Sequence, residues 1–212
     1  MININDINGA SVLLLDLHKW ILKEFKENII GVEMGIAYGG GVESIGKVWG
    51  DNGIIYGFDT FEGHPKQVAL KDPTCEFSMT SKTATCLDAV YNSFGMGGLS
   101  LESIQKELDR QNLNNVKLIK GLIDETTTID YIPYIHYAFL DLDFPLSMQH
   151  AYALVEKKLV KGGYLCLHDV LPIAPGLGLP GLSDWYKTVL QSGNYKIIKE
   201  DYSSFLSILK KI

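Results

Sequence analysis

Short, almost continuous apolar runs alternate with helical patterns along most of this chain. A strand that is buried on both faces has no need to alternate apolar and polar residues, so such runs indicate parallel strands covered by helices. The five runs are residues 29–34, 53–59, 116–121, 136–141 and 163–169. This order predicts a doubly wound, Rossmann-like α/β sheet with helices on both faces.

The helical patterns between the runs repeat apolar residues every three or four positions. They predict a leading helix over 11–28 and a helix through Val42, Ile45 and Trp49. Three further helices are predicted to open at serine caps, which lie at Ser100, Ser147 and Ser183.

The last 20 residues differ from the rest of the chain. Two strand-like segments, NYKIIKE and SFLSILK, are separated only by a few turn-forming residues. A parallel crossover needs a longer connection, so these segments predict an antiparallel hairpin. The expectation is therefore a seven-stranded, mostly parallel sheet that ends in a C-terminal hairpin.

Composition excludes several classes of protein. The net charge of the 212 residues is −6, and no basic run is present, which argues against a nucleic-acid partner. We find no signal-peptide pattern, no apolar run of membrane-spanning length and no C-x-x-C pair among the three cysteines. The prediction is one cytoplasmic domain over 1–212, with neither a membrane nor a nucleic-acid partner.

A glycine-rich loop, Glu33 to Gly41, follows the first apolar run. It reads G-x-x-x-G-G-G behind an acid, and it lacks the G-x-G-x-x-G of dinucleotide-binding loops. The carboxylate of Glu33 would repel a pyrophosphate but would favour a ligand that carries an ammonium group. The alternative is that Glu33 caps the following turn and that the glycines only permit close packing.

Asp59 ends the second apolar run, 24 residues after Gly35. An acid about 20 residues beyond such a loop binds the hydroxyls of an unphosphorylated ribose in many doubly wound proteins. S-adenosylmethionine, an adenosine joined to a cationic group, fits both Glu33 and Asp59. NAD fits only Asp59.

Five segments together resemble the class I S-adenosylmethionine-dependent methyltransferases, most closely the macrocin O-methyltransferase family. The segments are VEMGIAYGGGVESI, IYGFDTFEGHP, VKLIKGLIDET, YAFLDLDFPLS and KGGYLCLHDV. The resemblance runs from about residue 29 to the end. It implies methyl transfer to a hydroxyl of a small molecule, such as a sugar or a glycosylated natural product. It places the cofactor on Glu33, Gly35, Tyr38, Gly39, Asp59, Thr60, Phe61 and Gly121.

The same family binds a divalent cation, usually Mg²⁺, through an aspartate after the fourth strand and an Asp-Asp pair after the fifth. Asp141 matches the first position, and Asp169 matches the second residue of the pair, where His168 replaces the first. We therefore expect Asp141 and Asp169 to bind either the cation or the acceptor hydroxyl. His168 or His64 would take the proton from that hydroxyl.

The remaining expectations concern the acceptor and its pocket. Residues 61–98 show little periodicity and predict a lid or substrate cover, and residues 171–182 are expected to border the same cleft. Apolar walls are expected from Tyr38, Phe61, Phe77 and Met79. Asp143 is expected to cap the helix near Ser147.

The expected partner is a small-molecule acceptor, and a homo-oligomer is a further expectation. Two other functions stay open at this point. One is an NAD-dependent oxidoreductase. The other is a non-catalytic protein that has a methyltransferase-like fold and binds the cofactor.

Overall fold

The computed structural model describes residues 10–64, 76–79, 82–85, 100–171 and 179–212. These residues form five α-helices and nine β-strands. The helices are α1 (Ala10–Phe25), α2 (Gly40–Trp49), α3 (Leu101–Arg110), α4 (Pro145–Glu156) and α5 (Pro180–Gln191). The strands are β1 (Ile29–Met34), β2 (Gly53–Asp59), β3 (Glu76–Met79), β4 (Lys82–Thr85), β5 (Val116–Lys120), β6 (Ile135–Leu140), β7 (Leu159–Leu167), β8 (Tyr195–Asp201) and β9 (Leu206–Lys211).

Seven strands form one sheet in the order β5-β2-β1-β6-β7-β9-β8. The first five pair in parallel, whereas β9 runs antiparallel to both β7 and β8. This confirms the predicted mostly parallel sheet with a C-terminal hairpin. The chain moves outward from β1 to β2 and β5 and then returns to β6 on the other side of β1. The order of the sheet therefore reverses between β1 and β6, where ligands bind in such folds.

Each face of the sheet has its own apolar core. On one face, α1, α2 and α3 cover the sheet around Trp49, Tyr137 and Ile104. On the other face, α4 and α5 pack through residues such as Met148 and Leu182. The strands are buried from both sides, which explains why their sequences are almost continuously apolar.

Two predicted helix starts were wrong. Helix α4 begins at Pro145 after Phe144, and no side chain accepts a capping hydrogen bond there, so Asp143 does not cap it. Helix α5 begins at Pro180, three residues before Ser183. Proline suits the first turn of a helix because its missing N–H has no intrahelical partner there. The Ser100 cap is confirmed, since its Oγ accepts from the N–H of Ser103 at 3.3 Å.

The predicted cover over 61–98 lies largely outside the described residues. Within it, β3 and β4 pair antiparallel as a separate two-stranded sheet. The side chains of Phe77 and Met79, and most of the segment 171–182, are also outside the description. In the described part of the chain, no helix combines the length and apolarity that crossing a membrane requires.

Candidate functional site

The carboxyl ends of four strands are aligned by backbone hydrogen bonds that continue beyond the strands. Gly35 N–H donates to Phe58 O at 2.8 Å, Asp141 N–H to Met34 O at 2.9 Å, and His168 N–H to Leu140 O at 3.0 Å. The residues that follow β1, β2, β6 and β7 therefore meet at one edge of the sheet. Because this edge includes the point where strand order reverses, it is the expected ligand site.

A cleft opens at this edge with roughly 750 Å³ of free space, part of which is open to solvent. The predicted site residues that line it are Gly35, Asp59, Thr60, His64, Gly121 and Asp141. The cleft is also lined by Asp143, Phe144 and Ser147, which were not predicted as site residues. The sequence signal that could have identified Asp143 was its position in the D-L-D segment, two residues after Asp141.

Close packing explains three of the loop glycines. A Cβ on Gly35 would lie 2.0 Å from the carbonyl oxygen of Asp141, and one on Gly39 would lie 2.8 Å from Ile104 Cγ2. Both glycines have positive φ, 85° and 81°, which L side chains rarely adopt. A Cβ on Gly41 would lie 2.2 Å from Glu33 Oε1. The packing interpretation is thus supported at these positions, and it does not exclude ligand binding.

Glu33 is buried beneath this loop, with 3% of its surface exposed. It does not cap α2, because the cap residue is Gly39 and no side chain accepts a bond there. Glu33 Oε2 has no hydrogen-bond partner among the described residues. Burial raises the pKa of Glu33 well above its ordinary value, and the negative charges of Asp141 and Asp59 raise it further. A buried carboxyl group with an unpartnered oxygen is costly unless a ligand or a proton meets that oxygen.

Asp59 has a structural role that sequence reasoning missed. Its Oδ2 accepts from the N–H groups of Ile36 at 2.9 Å and Ala37 at 3.1 Å, and its Oδ1 accepts from Phe61 N–H at 2.8 Å. The carboxylate thereby joins the glycine loop to the turn after β2. A ribose that bound Asp59 would share it with these backbone groups.

Of the predicted cofactor residues, Glu33, Tyr38, Gly39 and Phe61 are not among the residues that line the cleft. Tyr38 is exposed, whereas Phe61 is buried and has a positive φ of 55°. Thr60 lines the cleft, and its hydroxyl donates to Gly63 O at 2.7 Å, which holds the turn that carries His64. A Cβ on Gly121 would meet no atom within 4 Å, so this position leaves free space at the cleft wall.

Asp141, His168 and Asp169 form a cluster whose ligand atoms lie within 4.8 Å of one another. His168 Nδ1 is 2.9 Å from Asp141 Oδ1 and 3.4 Å from Asp169 Oδ2. Burial alone would lower the pKa of His168, but hydrogen bonds to both aspartates and their charges outweigh it and raise the pKa to about 10. Asp169 has a positive φ of 56°, an unusual conformation that turns the chain at the end of β7.

The cluster can also be tested as a cation site. Two carboxylates on neighbouring strands suit Mg²⁺, which prefers oxygen, whereas the imidazole suits a softer divalent ion. The donor set therefore fits a divalent cation. Asp141 and Asp169 would hold it, and the cation would compete with the proton of His168.

His64 and Asp143 face each other across the cleft. His64 Nε2 is 3.3 Å from Asp143 Oδ2, and both side chains are about one-fifth exposed. Burial lowers the pKa of His64, while the charge of Asp59 acts in the opposite direction. Burial, together with the charges of Asp141 and Asp169, raises the pKa of Asp143 to about 7.

Comparison with solved structures supports the class of fold that the order of the seven-stranded sheet indicates. The chain is similar to the O-methyltransferase NovP, at 15% identity and a TM-score of 0.70, over 93% of this chain and 78% of that one. It is similar to CalS11, a calicheamicin methyltransferase, at 17% identity and a TM-score of 0.66, over 94% and 78%. It is also similar to an rRNA methylase from Streptococcus thermophilus, at 13% identity and a TM-score of 0.60, over 97% and 98%.

The chain therefore has the Rossmann-like fold of these methyltransferases. No model of a known protein family matches the sequence, and no curated protein matches it either. The narrower resemblance to the macrocin O-methyltransferases stays a prediction. Fold alone does not select a reaction, since the same fold carries acceptors as different as a natural product and ribosomal RNA.

Proposed function

We propose that this protein is an S-adenosylmethionine-dependent methyltransferase that transfers a methyl group to a hydroxyl of a small molecule. The observation that carries the proposal is Oε2 of the buried Glu33, which has no hydrogen-bond partner among the described residues and lies near Asp59 and Asp141, two residues that line the cleft. A negatively charged edge favours a cofactor that bears an ammonium and a sulfonium group, and it disfavours a pyrophosphate.

The cofactor would lie along the glycine loop. Gly35, Asp59 and Thr60 supply part of the cleft wall, and Gly121, whose N–H donates to Asp59 O, leaves open space beside them. Glu33 could accept a hydrogen bond from the ammonium group, which would satisfy its unpartnered oxygen. The cofactor, when bound, supplies an electrophilic methyl group.

The protein's task is then to orient the acceptor and to take its proton. The oxygen–methyl bond forms as the sulfur–methyl bond breaks, and the hydroxyl proton must leave. His168 is a poor base because Asp141 and Asp169 favour its protonated form. His64, whose pKa is lowered by burial, is neutral at physiological pH and lines the cleft, so it is the better proton acceptor.

The acceptor class is taken from the likeness to enzymes of natural-product chemistry. NovP is an O-methyltransferase, and CalS11 is a calicheamicin methyltransferase. On this basis we propose that the acceptor is a sugar or a glycosylated natural product. Asp141 and Asp169 would hold a Mg²⁺ ion, whose charge would lower the pKa of a nearby acceptor hydroxyl.

Titration calorimetry tests the proposal. We expect S-adenosylmethionine and S-adenosylhomocysteine to bind and NAD to give no heat, each measured with EDTA and with Mg²⁺. Glu33→Gln should weaken S-adenosylmethionine more than S-adenosylhomocysteine if the cleft also selects positive charge at sulfur. Binding of NAD, with no heat from either adenosyl compound, would contradict this proposal and would indicate an NAD-dependent oxidoreductase.

A further inference from the structure

The contact between His64 and Asp143 joins two loops that are distant in sequence. His64 lies in the turn after β2, and Asp143 lies between β6 and α4. Their Nε2 and Oδ2 atoms are 3.3 Å apart, and both residues line the cleft. The pair therefore bridges the cofactor side of the cleft and the side that carries the Asp141 cluster.

Asp143 is available for this contact because it has no capping role. Helix α4 starts with Phe144 as its cap residue, and no side chain accepts a capping bond there. Asp143 also lies close to the Asp141 cluster: burial, the charges of Asp141 and Asp169 and a hydrogen bond with Asp169 raise its pKa, whereas the charge of His168 lowers it. From the other loop, His64 Nε2 contacts this carboxyl group at 3.3 Å.

Phe144 adds a second restraint on the same imidazole. Its ring meets the ring of His64 edge to face, with 5.5 Å between centroids and 73° between planes. Edge-to-face pairs of this geometry are favourable. Two consecutive residues, Asp143 and Phe144, therefore restrain the orientation of His64.

We propose that Asp143 is a positioning residue that orients His64 to accept the proton of the acceptor hydroxyl. When Nε2–H donates to Asp143, the lone pair of the ring lies on Nδ1, and that atom receives the proton. As the acceptor oxygen gains the methyl group and the sulfur–methyl bond breaks, the hydroxyl proton moves to Nδ1. The carboxylate of Asp143 then stabilises the resulting imidazolium. This role rests on the proposed function, since it assigns a task within that reaction.

The charges that act on His64 come from two sides of the cleft. Asp143 lies on the loop before α4, and Asp59 lies at the end of β2. The charge of Asp59 favours the protonated ring and burial opposes it, and the proposal adds a contribution from the Asp143 carboxyl group at 3.3 Å. Removing Asp143 should therefore lower the proton affinity of His64. The charge of Asp59 should maintain part of that affinity.

Nuclear magnetic resonance of histidine labelled with ¹³C and ¹⁵N tests the inference without an acceptor. The His64 signal is assigned with His64→Gln. In the wild type we expect the Nε2–H tautomer to predominate. In Asp143→Ala its fraction should fall and the proton affinity of His64 should drop roughly tenfold, as expected for loss of a charge within about 4–6 Å.

Asp143→Asn provides a conservative rescue because its amide oxygen still accepts from Nε2–H. In this variant we expect His64 to keep the Nε2–H tautomer. Its proton affinity should still fall, because the negative charge of Asp143 is gone. Asp184→Asn, in an exposed ion pair with Lys187 on α5, is the matched control and should leave the His64 signal unchanged. An identical tautomer and titration of His64 in the wild type, Asp143→Asn and Asp143→Ala would overturn the inference.

Calorimetry with S-adenosylhomocysteine on the same samples separates the two proposals. Binding to the wild type, combined with an unchanged His64 spectrum in the Asp143 variants, would overturn the role of Asp143 alone. Absence of binding to the wild type would overturn the proposed function and with it the catalytic role of the pair, even if the spectrum showed the coupling.

Discussion

At the residue scale, three of the seven non-glycine residues with positive φ in the described part of the chain lie in loops at the edge of the sheet that carries the cleft. Ala37, Phe61 and Asp169 all have positive φ, and they lie in the loops after β1, β2 and β7. Such conformations cost a side-chain-bearing residue about 1–2 kcal/mol, and they persist only where the surroundings impose them. Asp59 accepts hydrogen bonds from the N–H groups of both Ala37 and Phe61, which explains how two of the three are held.

Gly121 allows a direct test of where the cofactor binds. Its Cβ position is open, and its N–H donates to Asp59 O at 3.0 Å, which any non-proline residue can retain. We expect Gly121→Val to raise the dissociation constant of S-adenosylmethionine at least about tenfold, because the side chain would fill the cleft. Gly121→Ala should have a smaller effect, and the melting temperature without ligand should change little in either. Equal affinity in all three proteins, measured by calorimetry, would contradict this placement.

His18 is fully surrounded by protein, and Nε2 lies 3.1 Å from Tyr137 OH. Burial lowers its pKa to about 3, below the value of 6.5 expected in the unfolded chain. The unfolded state therefore binds the proton first, and stability is lost as the pH falls from 6.5 towards 3. Between pH 7 and pH 5 this residue should account for a loss of about 2 kcal/mol in the free energy of unfolding.

Urea unfolding at pH 7 and pH 5 checks this expectation. The wild type should lose about 2 kcal/mol more than His18→Gln over this interval. Gln can keep a hydrogen bond to Tyr137 but does not titrate, so the difference isolates the imidazole. The same loss in both proteins would show that His18 is not the group responsible.

At the element scale, the end of α2 depends on a side chain from a distant segment. Asn115 Nδ2 lies 3.0 Å from Gly46 O, 2.9 Å from Gly50 O and 3.1 Å from Gly53 O. The carbonyl groups at a helix end have no intrahelical partners and need donors from elsewhere. Asn115, immediately before β5, therefore joins α2 and the start of β2 to the sheet.

Replacing Asn115 should expose this dependence. We expect Asn115→Ala to lower the free energy of unfolding by about 1–3 kcal/mol, since the carbonyl groups of Gly50 and Gly53 lose this donor, whereas that of Gly46 keeps the N–H of Gly50. Asn115→Asp should cost more because a carboxylate would face carbonyl oxygens. Asn52→Ala, which removes one bond to Trp49 O in the same region, is the control and should cost less. Denaturant unfolding gives the comparison, and a neutral Asn115→Ala would refute it.

At the scale of the whole molecule, the site is assembled from loops that belong to different parts of the sheet. A ligand there would bind only the folded protein and would stabilise it. At a concentration 100 times its dissociation constant, S-adenosylhomocysteine should add about 2.7 kcal/mol. For a chain of this size we expect the melting temperature to rise by roughly 5–10 °C.

Thermal unfolding with S-adenosylhomocysteine and with NAD measures this effect. NAD at the same concentration should leave the melting temperature unchanged, and Gly121→Val should reduce the shift caused by S-adenosylhomocysteine. A shift of equal size in the wild type and the variant would place the ligand away from this cleft.

Much of the fold could be predicted because its signals are local. The apolar runs at β1, β2, β5 and β6 matched strands to within about a residue, since burial on both faces leaves a continuous apolar pattern. Strand β7 begins at Leu159, four residues before its predicted start, where its pairing with β6 is irregular. The predicted starts of α4 and α5 were wrong because a serine in the sequence gives no information about tertiary packing. Both helices begin at prolines instead.

The sequence by itself determined the class of fold, the edge of the sheet where a ligand would bind and six of the residues that line the cleft there. These follow from periodicity and chain order, which are properties of neighbours along the chain. Only the tertiary structure decided that Asp59 binds backbone groups, that His168 lies between two aspartates and that Asp143 faces His64. Each of these depends on distances between residues far apart in sequence, and hydrogen bonds and pKa shifts act over only a few ångströms.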